Sequence, residues 1–317
     1  MKMKTKKANK MMIALIVCLI FLAAGSVWLF GRSAGTAYAN AEMYTSGNTA
    51  IPSKVERLDV EWTAGLVRVV YGEGADLLVE ETGKGAIPED RQLRWWLDGT
   101  TLRIRYEKPR FRIFSFDQGK TLTLTLPMGL ELADADIRTV SADMDLAGAD
   151  AGEINLASVS GDITGSVRCA KLTAASTSGG ITLEAENMAE CSAATTSGDV
   201  SLTFRDRADK ATVSSVSGKV ALLAGDVKET KVSTTSGSIR VTVSGGFGDM
   251  ALSSVSGAVT ALLGAEAGFT LNVETTSGSF SSTLPLTSEG RTRVYGDGSA
   301  RFSVHTVSGD IRVEEAK

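Results

Sequence analysis

Two stretches and one recurring aspartate in this chain have residue types and spacings that could do chemistry. From Arg91 to Lys120 the basic residues are Arg91, Arg94, Arg103, Arg105, Lys108, Arg110, Arg112 and Lys120, against only Asp98, Glu107 and Asp117. Trp95, Trp96, Tyr106, Phe111, Phe114 and Phe116 are interleaved with them. In a chain of net charge −4 this composition would draw an anionic surface, a lipid headgroup or a phosphate-rich polymer. The candidate contacts are Trp95, Trp96, Arg103, Arg105, Lys108, Arg110 and Arg112. The plainer reading is a strand with Leu102, Ile104 and Tyr106 packed inward and Arg103 and Arg105 in solvent. A second stretch carries Arg291, Arg293 and Tyr295 and is a candidate loop contact. An aspartate also returns at Asp143, Asp162, Asp199 and Asp310, each next to a small residue at a turn. Stacked carboxylates could hold calcium. The file is broken by Gly180, Lys219, Ser238, Ala258 and Ser279, and the preference of Asp for turns explains it more simply.

Other chemistries find little support. His305 is the only histidine, and the cysteines lack metal-ligand spacing. No nucleic-acid recognition motif is present, and no cofactor is implied. A polysaccharide-cleaving enzyme needs clustered acid and base groups, whereas the outward strand positions here are mostly Ser, Thr, Ala and isolated charges.

The elements that must position these residues come from a repeat. Ser158-Val159-Ser160-Gly161-Asp162-Ile163 is followed by Ser176-Thr177-Ser178-Gly179-Gly180-Ile181 and Thr195-Thr196-Ser197-Gly198-Asp199-Val200. Ser-Gly then returns at 217–218, 236–237, 256–257, 277–278 and 308–309, after a degenerate first copy at Ser141-Ala142. A period near nineteen residues is the mark of a stacked architecture. Relative to each glycine, the residues seven and five before it are mostly apolar (Leu172/Ala174, Cys191/Ala193, Phe302/Val304), as are those two and four after it (Ile181/Leu183, Val200/Leu202, Ile311/Val313). Spacing by two is the strand period. The expectation is an all-β, single-stranded β-solenoid with rungs of about nineteen residues. Its corner glycine would supply φ > 0. The hydroxyls three residues and one residue before the glycine would point inward and stack along a ladder. Cys169 and Cys191 occupy different rung positions and read as small core residues, not as a disulfide.

The glycine intervals are 18 to 21 residues up to Gly278 and then 31 to Gly309, so the last interval holds an insertion that includes Arg291, Arg293 and Tyr295. It is either a binding loop or a hairpin covering the last rung. The terminal Val313-Glu314-Glu315-Ala316-Lys317 would place charge on the final exposed edge.

At the other end, residues 1–10 carry five lysines and read as a cytoplasmic basic tail, and Met11 to Phe30 has no charge. Twenty apolar residues span a bilayer core as a transmembrane helix, here with the bulk of the chain extracytoplasmic. The alternative is a cleaved signal segment with Ala37-Tyr38-Ala39 as its site. Residues 31–53 read as a tether, 54–135 as an irregular β cap region and 136–317 as regular solenoid repeats.

Four features together, the anchor, Leu66-Val67-Arg68-Val69, Leu122-Thr123-Leu124-Thr125-Leu126-Pro127 and serial phrases ending in Gly296-Asp297-Gly298 and Thr306-Val307-Ser308-Gly309-Asp310-Ile311, make the chain similar to the bacterial putative-adhesin family of β-strand-repeat proteins, which includes LiaG-like membrane proteins of envelope-stress operons. The resemblance covers roughly residues 55–317 and implies a surface-exposed β-solenoid without known catalysis. Ala142 departs from the expected corner glycine. The functional expectation is a membrane-anchored, non-catalytic surface module, adhesin-like or a scaffold. Its partner would be an anionic envelope polymer or a membrane protein, not nucleic acid. An accessory of an envelope-stress response is the alternative.

Overall fold

The computed structural model describes residues 38–52, 54–107, 119–186, 188–265, 267–290 and 292–316. Apart from two short 3-10 turns, Ala41–Met43 and Glu89–Arg91, the regular elements there are β-strands. No helix among the described residues is long and apolar enough to cross a membrane. The expected span at 11–30 lies outside them.

The expected rungs are present. Each is a strand, a Ser-Gly corner and a second strand, and equivalent strands pair in parallel. Before the corner, Ile154 pairs with Leu172 and Leu172 with Cys191; after it, Ile163, Ile181, Val200, Val220, Ile239 and Val259 pair in file. Period-two alternation turns the apolar side chains of both ladders into one core, with Leu172, Cys191, Ile239, Val241, Ile311 and Val313 all at most 1% exposed. A single rung has no second layer to bury against, so its stability comes from its neighbours.

The corner works differently from expectation. None of the corner glycines from Gly161 to Gly309 has positive φ. What demands glycine is proximity: a Cβ on Gly218, Gly237 or Gly257 would stand 1.8, 1.7 or 1.7 Å from the preceding rung's glycine oxygen. A Cα hydrogen fits there, in a Cα–H···O contact. The hydroxyl three residues earlier is buried and accepts the glycine's own N–H, as in Thr195 (3.1 Å), Ser215 (2.8 Å) and Ser254 (2.8 Å). It donates to the preceding rung's glycine oxygen, at 3.2 Å from Thr195 and from Ser215. The ladder is therefore hydroxyl to glycine; a direct hydroxyl pair occurs at Thr139 and Ser158, 3.1 Å apart. The serine next to each glycine, such as Ser178 or Ser197, is exposed, not inward. At Ala142 the corner disappears, and Leu132–Ser158 runs as one strand with Ala142 paired to Gly65.

Both ends depart from sequence order. The strand Ala300–Thr306 lies between Phe247–Ser254 and Phe269–Thr275, and Ile311–Glu315 lies between Val259–Leu263 and Phe280–Ser282. The final strand is thus interior, which overturns the expectation that its charges guard an exposed edge. The outermost rung is the one at Gly278, and the insertion covers it: Thr292–Tyr295 pairs antiparallel with Phe269–Leu271, and Thr287–Glu289 pairs with Thr292–Tyr295. The other end repeats the device. Arg57–Gly72 sits between Leu132–Ser158 and an outer rung built from Thr101–Arg105 and Lys120–Pro127. Arg94–Asp98 and Asp76–Thr82 then cover that outer rung antiparallel. Antiparallel covers consume the edge N–H and C=O groups that would otherwise template aggregation.

Residues 38–52 were expected within the tether. They belong to the cap instead, with Thr45–Ser46 and Thr49–Pro52 paired into it and Tyr44 and Ile51 buried. Beneath them Lys120 Nζ meets Glu81 Oε1 at 2.5 Å and the carbonyls of Tyr106 and Arg91 at 2.6 and 2.7 Å.

Candidate functional site

The basic-aromatic candidates are divided by the fold. Leu102, Ile104 and Tyr106 are buried as the plainer reading expects, but Arg105 is buried as well and Arg103 only partly exposed. Arg105 is 8% exposed and bonds to Asp59 through Oδ1 (3.1 Å), Oδ2 (3.0 Å) and the backbone carbonyl (2.9 Å). Arg103 bridges Asp59 at 2.6 Å and Asp98 at 3.1 Å, and Arg138 adds Asp136 and Glu61 to the network. Burial pushes the Asp59 carboxyl up, but Arg105, Arg103 and Arg138 outweigh it and hold the group below its ordinary range. Trp96 packs edge-on to Tyr44 and lies under Arg103, while Trp95 packs against the core. The charges of Arg103 and Arg105 are matched by carboxylates inside the cap. Lys108, Arg110 and Arg112 lie outside the described residues.

Arg293 and Tyr295 belong to the hairpin covering the last rung. Arg293 stacks 4.3 Å from the Phe280 ring, and the Tyr295 hydroxyl donates to the Ala265 carbonyl at 2.9 Å. Arg291 lies outside the described residues. The aspartates that follow the corner are inter-rung pegs: Asp143, Asp162, Asp199 and Asp310 each accept the N–H of the equivalent residue one rung away, at 2.7 to 2.9 Å. Cys169 and Cys191 are buried free thiols that burial pushes up to about 12, which leaves them unreactive.

A feature not anticipated from the sequence is the outward face of the strands that precede the corners. Its first column reads Glu153, Lys171, Glu190, Lys210, Glu229, Asp249, Arg301, each residue beside the next by strand register. Ion pairs join Lys171 to Glu153 at 2.8 Å, Lys210 to Glu190 at 3.4 Å and Arg301 to Asp249 at 2.6 Å. Such exposed pairs add little stability, but four acids against three bases leave the column nearly neutral. Four residues further along each strand the second column is Ala157, Ala175, Ala194, Ser214, Ser233, Ser253. These side chains are too small to protrude. The column continues through His305 to Glu274, with His305 Nδ1 3.5 Å from Glu274 Oε2. At 4.8 Å per strand the eight strands of this face extend roughly 34 Å. A groove of about 560 Å³ crosses it beside Glu229, Lys231, Asp249, Thr270, Asn272 and Arg301. The alternating column was legible only by counting back from each glycine to a position where no apolar signal draws attention.

The model of a known family matches residues 55–314, nearly the whole of this stack. The chain belongs to the Toastrack DUF4097 family. The adhesin-like resemblance read from the phrases is upheld, for a family of unknown function. Among solved structures, the Toastrack chain is similar to a putative cell adhesion protein from Clostridium sporogenes, at 11% identity over 86% of this chain and 100% of that one, TM-score 0.22. It is also similar to a putative adhesin from Bacteroides fragilis, at 12% identity over 85% and 96%, TM-score 0.41. A putative lipid binding protein from Parabacteroides distasonis aligns at 13% identity over 89% and 98%, TM-score 0.46. No curated protein matches this chain.

Proposed function

We propose that this chain is a membrane-anchored, extracytoplasmic binding module, adhesin-like or a scaffold, that acts without catalysis. It holds an envelope polymer along the outward face just described. The carrying observation is that face: small side chains run across neighbouring rungs beside a nearly neutral charge ladder, a shape that suits a long ligand better than a reaction centre. Residues 11–30 hold the chain in the membrane, with residues 1–10 in the cytoplasm. Seven residues, 31–37, separate that span from the docked segment. At 3.3–3.6 Å each they reach about 25 Å at most, so the solenoid is presented from its cap end.

Full-length chain in detergent micelles, mixed with isolated cell envelope and sedimented, tests the reading. Ala194→Trp raises a bulky ring in mid-face, away from the core. Loss of co-sedimentation with an unchanged circular-dichroism melt is expected. Undiminished binding by Ala194→Trp and by Thr173→Trp, the latter between Lys171 and Ala175 on the same face of its strand, refutes this face as the site.

A further inference from the structure

The geometry points to a neutral, hydroxyl- and amide-bearing glycan strand as the ligand of the groove beside Glu229, Lys231, Asp249, Thr270, Asn272 and Arg301, a proposal that rests on the binding-face reading above. The groove is a product of the interposed strand. Arg301 lies between Asp249 and Thr270 by register, although in sequence its strand comes after both of theirs. Its volume of about 560 Å³ falls in the range of small-ligand sites and accommodates a few sugar rings.

Charge selects a neutral ligand. Two carboxylates face two cations, and Asp249 and Arg301 neutralise each other through two hydrogen bonds, Arg301 Nε to Oδ1 at 2.6 Å and its terminal nitrogen to Oδ2 at 2.7 Å. A planar pair of this kind is rigid. Glu229, Lys231 and Asn272 make no side-chain hydrogen bond or ion pair among the described residues. They offer an acceptor, a donor and an amide with both functions. A chain of sugar rings bearing hydroxyls and N-acetyl amides supplies a donor and an acceptor at every unit, which matches that set. A uronic acid polymer would set its carboxylates against Glu229 and Asp249.

The surroundings favour a linear glycan over a peptide. The backbone groups of the strands bearing Glu229, Asp249 and Arg301 are used in ladders on both sides, so an extended peptide lying across those strands finds no main-chain partners there. Peptides add at sheet edges, and the nearest edge is covered over Phe269–Leu271 by Thr292–Tyr295. The file Ser253, Ser233, Ser214, Ala194 leads away from the groove with nothing to block an emerging chain. A β-linked pyranose advances by close to one rung spacing, so successive rings meet equivalent positions. In the other direction His305 and Glu274 close the file.

The test is calorimetric titration of the full-length chain in detergent micelles with three tetrasaccharides. Chitotetraose carries N-acetyl amides, cellotetraose carries hydroxyls only, and tetragalacturonate is acidic. Chitotetraose should bind, with the other two at least about tenfold weaker. Asn272→Ala and Lys231→Ala should each weaken it about tenfold, the worth of one hydrogen bond to a polar ligand. Ser253→Trp should abolish binding with its thermal melt unchanged. Equal binding of either control sugar, or unaffected Asn272→Ala and Lys231→Ala variants, overturns the assignment. If chitotetraose fails to bind while envelope is still held and Ala194→Trp releases it, the ligand is wrong and the binding face stands. If envelope is not held either, both fall.

Discussion

Replacing Gly237 by alanine is the sharpest test of why the corner is glycine. The new methyl group would lie 1.7 Å from the Gly218 oxygen and 2.5 Å from its carbonyl carbon, both backbone atoms. An unstrained carbon–oxygen contact needs about 3.3–3.6 Å, so the two rungs must part by roughly 1.6–1.9 Å at that corner. The bonds at risk are Thr234 Oγ1 to the Gly218 oxygen (3.4 Å) and the N–H groups of Thr235 (3.2 Å) and Ser236 (2.9 Å) to the Val216 oxygen. At about 1 kcal/mol net for each of these three bonds, plus about 1–3 kcal/mol for overpacking, the expected loss is about 4–6 kcal/mol. Urea unfolding followed by circular dichroism reads the total. Amide hydrogen exchange reads its location, which should centre on 232–244 because rungs couple to neighbours. If glycine served only to let the chain bend, alanine at this negative φ would stabilise the protein by about 0.4–1 kcal/mol. A stabilised Gly237→Ala variant would falsify the close-approach argument.

Further expectations follow from the same contacts. Thr195→Val leaves the Gly198 N–H buried without its acceptor and should cost about 1–3 kcal/mol in urea unfolding; a change under 0.5 kcal/mol refutes it. Lys120→Met strands the Glu81 carboxylate, whose side chain is only 2% exposed, and should cost about 3–5 kcal/mol, with Glu81→Leu added to it recovering most of the loss. Because Asp59 titrates below its ordinary 3.8 in the folded cap, its contribution is complete above that pH. It drains away as pH falls through the lowered pKa. Acid titration should therefore loosen the cap below pH 3.8, and Asp59→Asn should remove that step. A chain ending at Ser299 lacks the interposed rung and exposes the edges of Phe247–Ser254 and Phe269–Thr275. Light scattering should show self-association, and a stable monomer would refute the interposed order as a protective device.

Particular residues show how far the sequence could be read. Leu172, Cys191, Val200 and Ile311 announced the core because burial demands apolar side chains at period two, a demand visible in one dimension. The thiols were legible as core for the same reason. Arg103 and Arg105 were misjudged as solvated because their partner Asp59 lies more than forty residues away and meets them only through the pairing of Arg57–Gly72 with Thr101–Arg105. The outward face is not legible in the pattern, because small polar residues carry no periodic signal of their own.

By itself the sequence determined the architecture: a β-strand stack with a hydroxyl, a glycine and four apolar side chains in register, since hydrophobic burial and corner geometry act on every rung alike. Tertiary structure alone decided the order of the end rungs. Local pattern cannot distinguish one parallel neighbour from another when each has the same alternation. That choice sets Arg301 beside Asp249 and His305 between Ser253 and Glu274, and with them the groove. The physical reason is edge protection: the outermost rung is the one that can be covered by the antiparallel strands next to it in the chain, so the returning strand pairs one place further in.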